Sequence, residues 1–164
     1  MAESKPTHFE DFIEGTSFAL GSRMVTRDEI IRYASTFDPQ PLHLDEEAAK
    51  KTMVGRLCAS GWHTCSIAMR IMTDGFLGNA AGLGSPGITD ARFLKPVFPG
   101  DTLSATFYTI AKRPLLSRPG VGLVDTKLTL TNQHGEAVLS WTGPQFYRMR
   151  AALSQDTGDI GARS

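Results

Sequence analysis

Ser60-Gly61-Trp62-His63-Thr64-Cys65-Ser66-Ile67-Ala68-Met69-Arg70-Ile71-Met72 is the stretch on which the fold turns. It is apolar on most faces. Continued to Phe76-Leu77 it is too long for a strand, so it reads as a buried helix. Ser60 has the side chain of an N-cap, and Gly75 and Gly78 are the expected stops. About 17 residues at 1.5 Å each make a rod of roughly 25 Å, enough to cross a small domain. A helix with so little polar surface has to be covered by the rest of the chain.

Most of the cover follows it. Ile88 to Val97, Thr102 to Ala111, Val121 to Thr131 and Glu136 to Met149 read as strands, and Ser17 to Val25 precedes the helix as a fifth. Leu103, Ala105 and Phe107 alternate with polar residues, as do Ala137, Leu139 and Trp141, so each strand has one buried face. Lys112 to Gly120 is a basic, proline-containing turn, and Asn132-Gln133-His134-Gly135 is another. The expected class is α+β: a five-stranded, antiparallel, largely meandering sheet whose concave side is filled by the one long helix. Residues 1–150 form a single domain, and the polar tail from Ala151 to Ser164 reads as disordered. Gly78 to Gly87 reads as a flexible loop. It holds a formal Gly-x-Gly-x-x-Gly match at Gly82, Gly84 and Gly87. That match is not a dinucleotide site, because a helix precedes it, Pro86 interrupts it and a strand follows.

Bulk composition excludes several classes. The 164 residues carry 17 basic and 17 acidic side chains. Zero net charge gives no electrostatic case for nucleic acid or a membrane surface. No stretch reaches membrane-spanning length, and Met1 to Pro6 lacks the apolar core of a signal peptide. The expectation is a soluble cytoplasmic protein. Cys58 and Cys65, seven positions apart on a presumed helix, are too distant for a disulfide and read as two buried thiols.

The chemistry concentrates upstream of the rod. Thr26-Arg27-Asp28-Glu29 is a capping box opening a short helix. Pro39 stops that helix just after Phe37-Asp38. The following Gln40-Pro41-Leu42-His43-Leu44-Asp45 carries a second proline, so the segment reads as a stiff, extended loop. A carboxylate at Asp38 and an imidazole at His43 can then aim at one small volume, the pairing that general acid–base catalysis needs at neutral pH. Gly61 heads the buried helix, where free N–H groups and partial positive charge are available to an oxyanion. His63 faces nearly the opposite way from Gly61 and reads as a packing or interface residue. Asp38, His43 and His63 match no standard metal spacing, so no metal site is expected. Met69 and Met72 are core residues that also suit the wall of an acyl pocket.

These residues resemble a known family. Asp38-Pro39-Gln40-Pro41-Leu42-His43, followed by Asp45 and later by Ser60-Gly61, is similar to the hydratase-2 motif of the MaoC-like (R)-specific enoyl-CoA hydratases. Phe93-Leu94-Lys95-Pro96-Val97 and Pro99-Gly100-Asp101-Thr102-Leu103 resemble a second stretch of the same family. The resemblance implies a hot-dog fold, a curved antiparallel sheet wrapped around the long helix. It implies a homodimer or higher homo-oligomer whose sheets join side by side. It also implies reversible syn addition of water to a trans-2-enoyl thioester carried on coenzyme A or an acyl carrier. No cofactor is implied beyond the coenzyme A of the substrate. Asp38 and His43 would hold the water, with His43 taking its proton and Asp38 orienting it and helping to protonate C2. The Gly61 N–H would hold the thioester oxygen. Phe37 and Gln40 stand where the family typically has Gly and Asn, and would shape the substrate pocket. Two other readings stay open: a hot-dog thioesterase, and a non-catalytic acyl-thioester binder in which Phe37 blocks the water site.

Overall fold

The computed structural model describes residues 7–150, and the tail expected to be disordered lies outside them. In chain order the elements are β1 (Ser17–Met24), α1 (Arg27–Phe37), α2 (Pro41–Leu44), α3 (Glu46–Ala49), α4 (Gly61–Gly75), β2 (Gly82–Gly84), β3 (Asp90–Phe93), β4 (Thr102–Pro114), β5 (Val121–Thr131) and β6 (Ala137–Arg148). The sheet is antiparallel and runs β1-β4-β5-β6-β2, with β3 also paired to β6.

α4 is the rod that the sequence suggests. Ser60 caps it by accepting from the Trp62 N–H at 3.3 Å. Ile67, Ala68, Ile71 and Met72 are buried along it and share one core with Leu103, Phe107, Leu128, Leu130 and Trp141 of the sheet. Each large apolar side chain removed from water contributes about 1.5–3 kcal/mol, so this interface carries much of the fold. Gly75 closes the helix against β1, where a Cβ would stand 2.0 Å from the Leu20 carbonyl oxygen. The fold class is α+β with the hot-dog arrangement.

Several local expectations are corrected. The sheet has six strands rather than five, because the glycine-rich segment contributes β2. That strand is only three residues long and fully exposed, so no alternation of apolar and polar residues announces it. The strand expected from Ile88 to Val97 contracts to β3, and β4 runs three residues past Ala111 to Pro114. The segment after Gln40 is not extended. Pro41 takes the first position of a helical turn, where its missing N–H costs nothing, and α2 forms. The capping box at α1 is half made. Thr26 accepts from the Glu29 N–H at 3.2 Å, but the Glu29 carboxylate turns to Arg23 at 2.9 Å. Cys58 precedes α4 rather than lying on it; Cys58 is buried, Cys65 is half-buried, and both are free.

Candidate active site

Asp38 is the residue on which α1 ends. Its N–H still bonds the Ala34 carbonyl, while its own backbone leaves the helix at φ −152°, ψ 69°. The next turn, α2, brings His43 back beside it. The imidazole is almost fully buried, and its Nδ1 lies 2.8 Å from the Cys58 carbonyl oxygen. A carbonyl can only accept, so Nδ1 is the protonated nitrogen. In the neutral ring Nε2 then carries the lone pair. Nε2 lies 3.6 Å from Asp38 Oδ2. That is too long for a direct hydrogen bond but suits two acceptors sharing one small donor molecule.

Each oxygen of the Asp38 carboxylate accepts one hydrogen bond from the protein. The Ser60 hydroxyl donates to Oδ2 at 2.6 Å, and the Gln40 amide donates to Oδ1 at 2.7 Å. The Ser60 hydroxyl, then the Gln40 amide, and lastly the charge interaction with His43 hold the Asp38 carboxyl below the usual range. Such donors favour the ionised form. Ser60 therefore does two things: it caps α4 and ties that helix to the end of α1.

Asp38, Gln40, His43, Ser60 and Gly61 line one cavity of about 410 Å³. Its other walls include Trp62, Thr64, Phe93, Lys95 and Val97. The Gly61 N–H has no acceptor among the described residues, as expected in the first turn of a helix. A Cβ on Gly61 would stand 2.8 Å from the Phe93 ring, so glycine keeps this end of the helix open to the cavity.

Three residues expected to line the substrate pocket, Phe37, Met69 and Met72, are not in the wall of the Asp38–His43 cavity. Phe37 is 71% exposed, packs on Tyr33 with the rings tilted and their centroids 5.1 Å apart, and borders a separate cavity beside His63. It does not line the Asp38–His43 cavity. Met69 and Met72 wall a third cavity, of about 290 Å³, with Leu77, Phe146 and Tyr147. The side chain that sequence reasoning underrated is Ser60. It stood out as a cap and as part of the family motif, with no role given to its hydroxyl, yet that hydroxyl bonds the carboxylate. Lys95 is a second case: it lines the cavity and is paired with Glu136. No group of three His, Cys, Asp or Glu side chains that could hold a metal occurs among the described residues. No helix among them is long and apolar enough to cross a membrane.

The family described as MaoC like domain matches residues 12–130. The chain belongs to the MaoC-like hot-dog dehydratase family. A relative from Bacillus subtilis, the uncharacterized protein YdeM, is 34% identical over 125 residues, spanning 76% of this chain and 86% of its own. The crystal structure of a MaoC-like dehydratase from Rhodospirillum rubrum is similar at 36% identity and a TM-score of 0.82, covering 87% of this chain and 97% of that one. The R-hydratase PhaJ1 from Pseudomonas aeruginosa shares the fold, at 19% identity and a TM-score of 0.69 over 88% of both chains.

Proposed function

We propose that this MaoC-like protein is a hydro-lyase that adds water reversibly to a trans-2-enoyl thioester, on coenzyme A or an acyl carrier. The observation that carries the reading is the His43 Nε2 to Asp38 Oδ2 approach of 3.6 Å over a cavity that also holds the Gly61 amide.

A water seated against both acceptors is oriented by Asp38 and loses its proton to His43 Nε2 as its oxygen attacks C3. Charge moves through C2 to the thioester oxygen, where the Gly61 N–H stabilises the enolate; one such donor is worth roughly 3–4 kcal/mol. With Ser60 and Gln40 keeping Asp38 ionised, the proton taken by His43 is the one returned to C2. Asp38 stabilises the imidazolium in between. One base delivering both fragments of water from one side gives syn addition. Dehydration of the 3-hydroxyacyl thioester is the same path reversed, and no cofactor enters it.

The substrate pocket is assigned to the same cavity, with Gln40 at its polar end. Longer acyl chains are assigned to the apolar cavity beside Met69 and Met72. A homodimer is proposed along β3, whose residues are all exposed and whose neighbourhood carries the exposed Ile88, Phe93, Leu94 and Trp62. The free thiols and the substrate class suit the cytoplasm.

The test is the loss of enoyl absorbance on hydration of crotonyl-CoA. Asp38→Asn and His43→Ala are each expected to cut turnover by about 10²-fold or more while leaving the fold intact. A parallel thiol-release assay reports thioesterase activity. Hydration that survives both substitutions, or thiol release without hydration, would overturn the proposal.

A further inference from the structure

A second cavity, of about 260 Å³, opens between β1, α1 and α4, where Arg23, Glu29, Arg32, Tyr33, His63 and Arg70 contribute to its wall. The proposed mechanism uses none of them. Two of these residues are more than nine-tenths buried and hold polar atoms without a partner: Glu29 Oε1 and His63 Nδ1. A buried polar atom with no partner is costly to leave unmet, so two on side chains at one cavity mark a place that a ligand can complete.

The charge around them selects the ligand. Three guanidinium groups face one carboxylate. Glu29 is committed to Arg23, and Arg70 is paired with Asp74 at 2.7 Å. Arg32 makes no ion pair among the described residues. The excess positive charge calls for an anion. The free Glu29 oxygen, however, can only accept, so the anion must also bring a hydrogen-bond donor. A sulfate or a carboxylate brings none at neutral pH. A phosphate monoester, whose second pKa is near 6, still carries an O–H in part of its population. The His63 ring, stacked flat on Tyr33 at 4.6 Å and 12°, offers one N–H and one lone pair.

We infer that this cavity is a phosphate-monoester site: Arg32 and Arg70 take the anionic oxygens and Glu29 Oε1 accepts the phosphate O–H. Two sources share this chemistry, a small phosphorylated molecule and the 3′-phosphate of coenzyme A. Only the second rests on the acyl-thioester reading.

The experiment is calorimetric titration of the full chain with inorganic phosphate, sulfate, coenzyme A and 3′-dephospho-coenzyme A. Phosphate is expected to bind at least about tenfold more tightly than sulfate. Arg32→Ala, at an exposed helix position, is expected to lose about tenfold or more for phosphate, and Arg32→Lys to recover part of it. Glu29→Gln supplies a donor where the acceptor stood, so it is expected to narrow or reverse the preference over sulfate. A preference for coenzyme A over its dephospho form that collapses in Arg32→Ala names coenzyme A as the source. Equal binding of the two, with phosphate binding retained, names a small phosphorylated molecule. Because no arm needs turnover, a failed hydratase assay leaves this test standing. Absent phosphate binding, equal phosphate and sulfate affinities, or an Arg32→Ala protein that binds phosphate like the wild type would each overturn the inference.

Discussion

Replacing Ser60 with alanine tests the joint between α1 and α4 directly. The hydroxyl makes two contacts: it accepts from the Trp62 N–H at 3.3 Å as a helix cap, and it donates to Asp38 Oδ2 at 2.6 Å. Loss of the cap costs about 1 kcal/mol. Loss of a hydrogen bond to a charged group costs about 1.5–3 kcal/mol. Ser60→Ala should therefore lower unfolding free energy by about 2.5–4 kcal/mol at pH 7. In an Asp38→Ala background only the cap remains to be lost, so the same change should cost about 1 kcal/mol. The coupling is the difference, about 1.5–3 kcal/mol. Urea unfolding followed by fluorescence of Trp62 and Trp141 measures all four corners. The pH dependence has a definite sign. The Ser60 hydroxyl is the main group depressing the Asp38 pKa. A depressed carboxylate stabilises the fold above its unfolded pKa of about 4, and that contribution fades as pH falls through the folded value. The gap between wild type and Ser60→Ala should accordingly narrow toward the cap contribution below about pH 4. A cost of about 1 kcal/mol at neutral pH, equal in both backgrounds, would refute the joint.

Other outcomes follow from the same geometry. Gly61→Ala pushes a methyl against the Phe93 ring at 2.8 Å; because a side chain can yield, crotonyl-CoA turnover should fall while the urea midpoint stays close to wild type. Gly75→Ala meets the backbone oxygen of Leu20 instead, and urea titration should show a loss of about 3 kcal/mol or more. Arg150 forks onto Asp11 with two contacts of 2.7 Å and holds that carboxyl well below the usual range. Arg150→Ala should reduce stability modestly above about pH 4, and the difference should close as pH falls below that, read as thermal midpoints across pH. Burial pushes the Cys58 and Cys65 thiols above their ordinary range, so both should label slowly with a thiol reagent near pH 8 until the chain is unfolded. Met69→Trp should lower turnover of long-chain enoyl thioesters relative to crotonyl-CoA.

The central rod and the long strands were legible because their signals are periodic and span many residues. α4 has an apolar surface too extensive to expose, and β4 alternates buried and exposed positions from Leu103 to Ile110. β2 had no such signal, being three exposed residues held only by pairing with β6. Neither Asp38 and His43 nor the head of α4 required long-range information, since prolines, a cap and a glycine mark them locally. What local reading missed was direction. Phe37 and Asp38 are neighbours in the motif, and the family resemblance put both at one pocket. The chain leaves the helix at Asp38, with φ −152° and ψ 69°. Phe37, still helical, therefore projects from α1 beside Tyr33 and the His63 cavity. Asp38, past the last turn, swings to Ser60 and His43. A single helix terminus thus divides two adjacent residues between two cavities. If α1 ran one residue further, Asp38 would project from the helix and lose Ser60, and the acid–imidazole pair would not form. The position of Pro39, which forbids that extra residue of helix, matters as much to the site as the acid it follows.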